Sequence, residues 1–144
     1  MNTRKSIGHV AIPIWSIADT RKFYNEMLGC PIGRLSDTMV DFDFFGLHLV
    51  CHLASDRIKA ESAIEASHKE RLSRHFGVIV DMAEYKRVAD VLSKHEGLKF
   101  VTGPVVLHEG TEKEEGLIFM VDPSENTVEF KGFDNPAMLS KVLG

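Results

Sequence analysis

One pattern is written twice in this chain, and that duplication constrains the fold more than any other feature. Ile7-Gly8-His9-Val10-Ala11-Ile12-Pro13 opens the first copy as a short apolar strand signal, and a helical stretch ending in Met27-Leu28-Gly29 follows. Arg74-His75-Phe76-Gly77-Val78-Ile79-Val80 opens the second, followed by a helical stretch ending near His95-Glu96-Gly97. Each copy closes in apolar strands, from Phe44 to Leu53 in the first and from Gly116 to Val121, then Thr127 to Phe130, in the second. A strand, a helix and about three more strands have too few apolar faces to be stable alone, so the two copies are expected to pair in one curved sheet. The duplication also sets a histidine at the same point of each copy.

Periodicity supplies the detail. In the first strand Ile7, His9, Ala11 and Pro13 share one face, and Gly8, Val10, Ile12 and Ile14 the other. Ser16 or Asp19 can cap the next helix, Phe23, Met27 and Leu28 supply its apolar stripe, and Gly29 stops it. Pro31 and Gly33 mark a loop. Residues 38–53 read as two strands joined near Phe45-Gly46, with His48, Val50 and His52 on one face of the second. The stretch 54–73 is charged, sparsely apolar and free of Gly and Pro, as expected of a linker or a short added helix; its His68 reads as a surface residue. A helix is expected from about Ala83 to Lys94, carrying Tyr85, Val88, Val91 and Leu92. Strands around 98–108 follow, and Asp122-Pro123 sets a turn between the last two strands. Residues 134–144 form a short tail.

Strand parity then separates core from chemistry. Thr127, Glu129 and Lys131 share a face opposite Val128 and Phe130. His75 contrasts in the same way with Phe76, Val78 and Val80, and His9 with Val10, Ile12 and Ile14. Two neutral imidazoles and one carboxylate can hold a divalent first-row ion and leave positions open for substrate or dioxygen. A lone strand histidine is more often a hydrogen-bonded structural residue, and Glu129 beside Lys131 alone would read as a solvated face. Their equivalent placement in the repeat favours the ligand reading.

Composition excludes several partners. The 144 residues are 44% hydrophobic and 26% charged, ordinary for one soluble domain with a real core. A net charge of -4 and no run of basic residues interleaved with aromatics argue against nucleic acid. No apolar run approaches the roughly 20 residues of a membrane span and no signal-peptide order opens the chain, so a cytoplasmic protein is expected. Cys30 and Cys51 are too few for a disulfide framework and read as buried thiols.

The chain resembles the vicinal oxygen chelate superfamily, which includes glyoxalase I, bleomycin and fosfomycin resistance proteins and extradiol dioxygenases. The resemblance spans residues 6–133. It is carried by Gly8-His9-Val10-Ala11-Ile12, Phe23-Tyr24-Asn25-Glu26-Met27-Leu28-Gly29, His75-Phe76-Gly77-Val78 and, most specifically, Asp122-Pro123-Ser124-Glu125-Asn126-Thr127-Val128-Glu129-Phe130. It implies an α+β fold in which two βαβββ modules, about 6–53 and 74–133, form an open, cupped mixed sheet within a single domain. It also implies His9, His75 and Glu129 as metal ligands. In some members a fourth ligand, commonly Glu, comes from the last strand of the first module, where His52 stands here; a shift of register would put His48 or Val50 there instead. Glu125 occupies a turn position that is often Gly in the family, so it would need a tolerated backbone angle or the turn type differs; Asn126 beside it accepts left-handed geometry readily.

Several activities follow from the resemblance. An extradiol-like dioxygenase, acting through Fe(II) or Mn(II) on a small aromatic or vicinal-oxygen substrate, needs the two-histidine, one-carboxylate set, open positions for a catecholate and dioxygen, and a nearby acid or base. His48 or His52, if not bound to metal, would be its acid or base, and Lys131 could orient an anionic group or be an exposed strand lysine. A glyoxalase I-like enzyme on Zn or Ni, where metal-adjacent glutamates move the substrate proton, is less well served by a single Glu129. A fosfomycin-type transferase would be expected to carry a cation cluster that these strands lack. A metal-free drug-binding protein is the alternative from another class. Trp15, Phe44, Phe45 and Phe119 are expected either to line an aromatic-accepting pocket or to fill the core. A homodimer is the assembly the family implies.

Overall fold

A computed structural model describes residues 7–54 and 74–138. Residues 55–73, with His68, and 139–144 lie outside the described residues, so the expectations for the linker and the end of the tail fall there. The two βαβββ modules are present, and hydrogen bonding closes within each, giving two four-stranded mixed sheets. The chain divides into two compact units, one built on each module, with Asp122–Asn126 joining the unit of the first. Among the described residues no helix is long and apolar enough to cross a membrane.

In the first unit β1 (His9–Ile14) leads into α1 (Ile17–Arg21), and β2 (Ile32–Leu35), β3 (Met39–Phe44) and β4 (Leu47–Leu53) follow. The sheet order is β1-β4-β3-β2, with β1 parallel to β4 and the other pairs antiparallel. Ser16 rather than Asp19 is the cap: its backbone is extended and its Oγ accepts the Asp19 N–H at 3.1 Å. The expected single helix continues past Arg21 as a π-helical stretch, Lys22–Met27, marked by a bond from the Leu28 N–H to the Phe23 carbonyl. In the wider turn successive residues lie closer in angle, so Phe23 and Tyr24 both bury. Gly29, at φ 77°, ends the stretch. Ile12, Ile14, Val40, Phe42, Phe44, Leu49 and Cys51 form the core beneath it, with Tyr24 ringed by Phe42 and Phe44. Phe44 is thus a core residue and not a pocket wall.

The turn Asp122–Asn126 is tied to this unit by specific bonds. The Tyr24 hydroxyl donates to Asp122 Oδ2 at 2.9 Å, the Trp15 N–H donates to Ser124 Oγ at 2.9 Å, and Asn126 Nδ2 donates to the Pro13 carbonyl at 2.8 Å. Asp122 Oδ1 in turn accepts the N–H groups of Ser124 and Asn126. Burial pushes the Asp122 carboxyl above its ordinary range despite these donors, and burial with Asp122 alongside pushes the Tyr24 hydroxyl well up. The left-handed residue of the turn is Glu125, at φ 64°, because Asn126 is committed to bridging Asp122 and Pro13.

In the second unit β5 (Phe76–Val80) leads into α2 (Met82–Ser93), then β6 (Lys99–Leu107), β7 (Glu115–Val121) and β8 (Thr127–Gly132). The order β5-β8-β7-β6 matches the first sheet position for position, with β5 parallel to β8. Asp81 caps α2, its Oδ1 accepting the Glu84 N–H at 2.8 Å. Met82, Tyr85, Val88 and Leu92 form the buried face of α2. Tyr85 lies flat over Gly116 and Gly132, where any Cβ would strike its ring, and its hydroxyl donates to the Val105 carbonyl at 2.7 Å. The last two strands form the expected hairpin, with Val121 opposite Thr127.

Candidate functional site

The second unit brings two of the implied ligands together. His75 stands one residue before β5, and Glu129 lies mid-way along β8, opposite Gly77. A Cβ at Gly77 would collide with the Glu129 backbone, so glycine there lets the two strands approach closely at the glutamate. His75 Nε2 is 3.3 Å from Glu129 Oε2, and the two side chains are 28% and 22% exposed, within reach of solvent yet held. The His75 ring stands edge-on to Phe119 at 5.0 Å between centroids. Lys131 Nζ lies 3.4 Å from Glu115 Oε1 and 4.0 Å from Glu129 Oε1. A cavity of about 510 Å³ opens on His75, Glu129 and Lys131, with Phe76, Phe133 and Met138 in its walls. A second, of about 470 Å³, opens on the same three residues and is walled by Leu107, Leu117 and Phe119. The buried hydroxyl of Thr127, on the strand face of Glu129, has no hydrogen-bond partner among the described residues.

The first unit places its histidines differently. His9 begins β1, is exposed, and pairs across the parallel ladder with His48. The two Nδ1 atoms are 3.1 Å apart, and His48 Nε2 is 3.1 Å from Asp41 Oδ2. Asp41 is 3% exposed and also accepts from the Arg34 Nε at 2.8 Å and from the Arg34 backbone N–H. Burial alone would raise its pKa, but the hydrogen bonds from His48 and Arg34 outweigh this and hold the carboxyl below its usual range. A cavity of about 420 Å³ borders Arg34, Asp41 and His48. His52 pairs with Pro13 and Met39 and is exposed, four residues and so about 13 Å along β4 from His48. The fold therefore brings His48, and not His52, beside His9.

The two registers settle which residue is the counterpart of Glu129. Two residues beyond His75, Gly77 pairs with Glu129; two residues beyond His9, Ala11 pairs with Val50. Val50 thus occupies the position of Glu129, and His52 that of Lys131. Val50 is apolar and 4% exposed, so the first module offers no donor at that point. Sequence reasoning left Val50, His48 and His52 open because the pairing of β4 with β1 joins residues about forty positions apart. It missed Asp41, Arg34 and Glu115 for the same reason: each gains its meaning from a cross-strand neighbour. Their only local signal was an acidic residue alternating with Val40 and Phe42 on β3.

Among the described residues no three His, Cys, Asp or Glu side chains stand close enough together to hold a metal ion. The pair in the second unit nevertheless suits one. Donors bound to a single ion at about 2.0–2.2 Å and at right angles stand about 3 Å apart, close to the spacing of His75 Nε2 and Glu129 Oε2. His9, the third implied donor, uses Nδ1 toward His48, and no described residue hydrogen-bonds its Nε2. A borderline nitrogen and a hard oxygen are the donor types that first-row divalent ions accept.

Solved structures share this architecture. A glyoxalase/bleomycin resistance protein/dioxygenase from Alicyclobacillus acidocaldarius is 29% identical over 96% of this chain and 99% of its own, with a TM-score of 0.70. The fosfomycin resistance protein FosX from Mesorhizobium loti is 12% identical over 94% and 98%, with a TM-score of 0.65. A glyoxalase/dioxygenase from Nostoc punctiforme is 14% identical over 90% and 92%, with a TM-score of 0.64. No family model and no curated protein matches the sequence. The chain has the glyoxalase/bleomycin resistance/dioxygenase fold, consistent with the vicinal oxygen chelate superfamily.

Proposed function

We propose that this protein is a metal-dependent enzyme, an extradiol-like dioxygenase that takes a small aromatic substrate bearing vicinal oxygens, with His75, Glu129 and His9 as the ligands of Fe(II) or Mn(II). The observation that carries the reading is Val50 at the counterpart of Glu129, which leaves the ligand set with a single carboxylate. When bound, the ion would supply Lewis acidity and open positions for the substrate oxygens and dioxygen. His75 is steadied by its T-shaped contact with Phe119, and Glu129 is held on a strand that Gly77 allows to pack tightly. Phe119, Leu117 and Leu107 wall one of the adjoining cavities, and Phe76 and Phe133 the other, apolar surfaces suited to an aromatic ring. Lys131 presents an ammonium at both and can orient a substrate oxyanion, with Glu115 holding it in the absence of one.

The alternatives draw less from the site. A glyoxalase I-like reaction asks for a second metal-adjacent carboxylate to move the substrate proton, and Val50 cannot act as one. A metal-free binding protein would use the same cavities without needing His75 and Glu129 side by side. Loading the protein with Fe(II) under anaerobic conditions, measuring retained metal and then recording oxygen uptake with catechols tests the proposal. Retained iron with catechol-dependent uptake is expected. Failure to retain any divalent ion would overturn it in favour of a binding protein, and turnover of the methylglyoxal–glutathione adduct on Zn or Ni would overturn it in favour of a glyoxalase.

A further inference from the structure

The chain of contacts from Arg34 through Asp41 and His48 to His9 has a direction. Asp41 accepts from Arg34 through both carboxylate oxygens and is buried on β3, so it is fixed in place and ionised. An ionised carboxylate only accepts, so the His48 Nε2 that faces it at 3.1 Å must carry the proton. In neutral His48 the other ring nitrogen, Nδ1, is then a bare acceptor. It faces His9 Nδ1 at 3.1 Å, and two bare nitrogens would repel at that distance, so the proton between the rings sits on His9. His9 is left with Nδ1 protonated and Nε2 holding a free lone pair, the nitrogen that no described residue engages.

We infer that Asp41 and His48 are positioning residues that hold His9 in its Nδ1–H tautomer and present its Nε2 as a ready metal donor. The inference rests on the reading of His9 as a ligand. Ligating histidines commonly donate their second N–H to a carboxylate or carbonyl, which sets the tautomer and ring orientation. Here a second imidazole is interposed, and the carboxylate acts through it. The second unit is built otherwise: Glu129 lies directly against His75 Nε2. On this reading His48 acts through His9, with both of its ring nitrogens already engaged.

Nitrogen-15 NMR of the histidine rings in the metal-free protein reads the tautomer directly and needs no variant. His9 is expected with its proton on Nδ1 and His48 with its proton on Nε2; a His9 proton on Nε2 overturns the inference whether or not metal binds. In Asp41→Asn and in His48→Phe the His9 signals should lose the single-tautomer pattern, and Mn(II) affinity measured by water-proton relaxation should fall about 10- to 100-fold. Unchanged affinity in both variants, with the wild type binding Mn(II), would overturn the positioning role. If the wild type shows the expected tautomer but Mn(II) fails to broaden the His9 signals, the ligand reading of His9 falls while the hydrogen-bonded relay stands.

Discussion

The two histidines that open the two modules have been given opposite surroundings by the same topology. His75 meets the carboxylate of Glu129 directly, beside a lysine and two apolar-walled cavities. His9 meets another imidazole, and the carboxylate behind it is buried on a different strand. The registers are the same; the residues at each register are not. Where the second sheet has Gly77, Glu129 and Lys131, the first has Ala11, Val50 and His52. On the proposed reading, a duplicated scaffold divides its labour, with the carboxylate and the apolar-walled cavities in one half and an imidazole backed by a second imidazole in the other. Equivalence of fold position does not carry equivalence of chemistry, because a strand register fixes where a side chain stands and leaves open what it is.

The comparison breaks most completely at the pair in the second unit. His75→Ala and Glu129→Gln should each abolish metal retention while leaving the fold intact, since both side chains are partly exposed; metal analysis beside circular dichroism checks this. Val50→Glu would erase the asymmetry by installing the missing carboxylate. Because Val50 is buried, the substitution should lower stability by about 2–4 kcal/mol in urea titration, and any folded protein should shift its metal preference toward Zn or Ni. Gly77→Ala should cost about 1–3 kcal/mol by pushing β5 away from Glu129, whereas Ala11→Gly at the matching exposed position should cost about 0.5–1 kcal/mol.

A smaller effect appears in acid. The folded-state pKa of Asp41 lies below its unfolded value, so its contribution to stability is present above the ordinary carboxylate range and is lost as pH falls through that range toward the lowered value. Asp122 has the opposite sign: its raised pKa makes ionisation unfavourable in the fold, and its burden on stability is relieved in the same descent. Asp41→Asn should therefore flatten the acid limb of a stability–pH profile, and Asp122→Asn should steepen it. His52→Ala should change neither metal affinity nor stability measurably, and a clear loss of either would restore His52 as a participant in the site.

Much of the architecture was legible in the sequence. Local signals decide local things: a cap at Ser16 or Asp19, of which the structure uses Ser16, Gly29 as a stop, the Phe45-Gly46 and Asp122-Pro123 turns, and the alternation that sets His9 and Glu129 opposite the core. The π-helical stretch was hidden because it sets Tyr24, with Phe23 at right angles beside it, against Phe42 and Phe44, partners on another element. Glu125 was legible as a turn residue needing a tolerated backbone angle or a different turn type; the structure gives it the left-handed angle, φ 64°, while Asn126 is claimed by the Pro13 carbonyl. By itself the sequence determined the doubled order of strand, helix and closing strands and the face on which each candidate ligand stands, since period and turn chemistry are properties of neighbouring residues; it read Pro31 and Gly33 as a loop where β2 runs, because that short strand is mostly exposed and carries no apolar alternation. Only the tertiary structure decided that Val50 stands at the counterpart of Glu129, that His48 rather than His52 meets His9, and that Asp41 lies behind them. Those are facts of register between strands far apart in the chain, and a shift of one residue would have turned every one of these side chains to the other face.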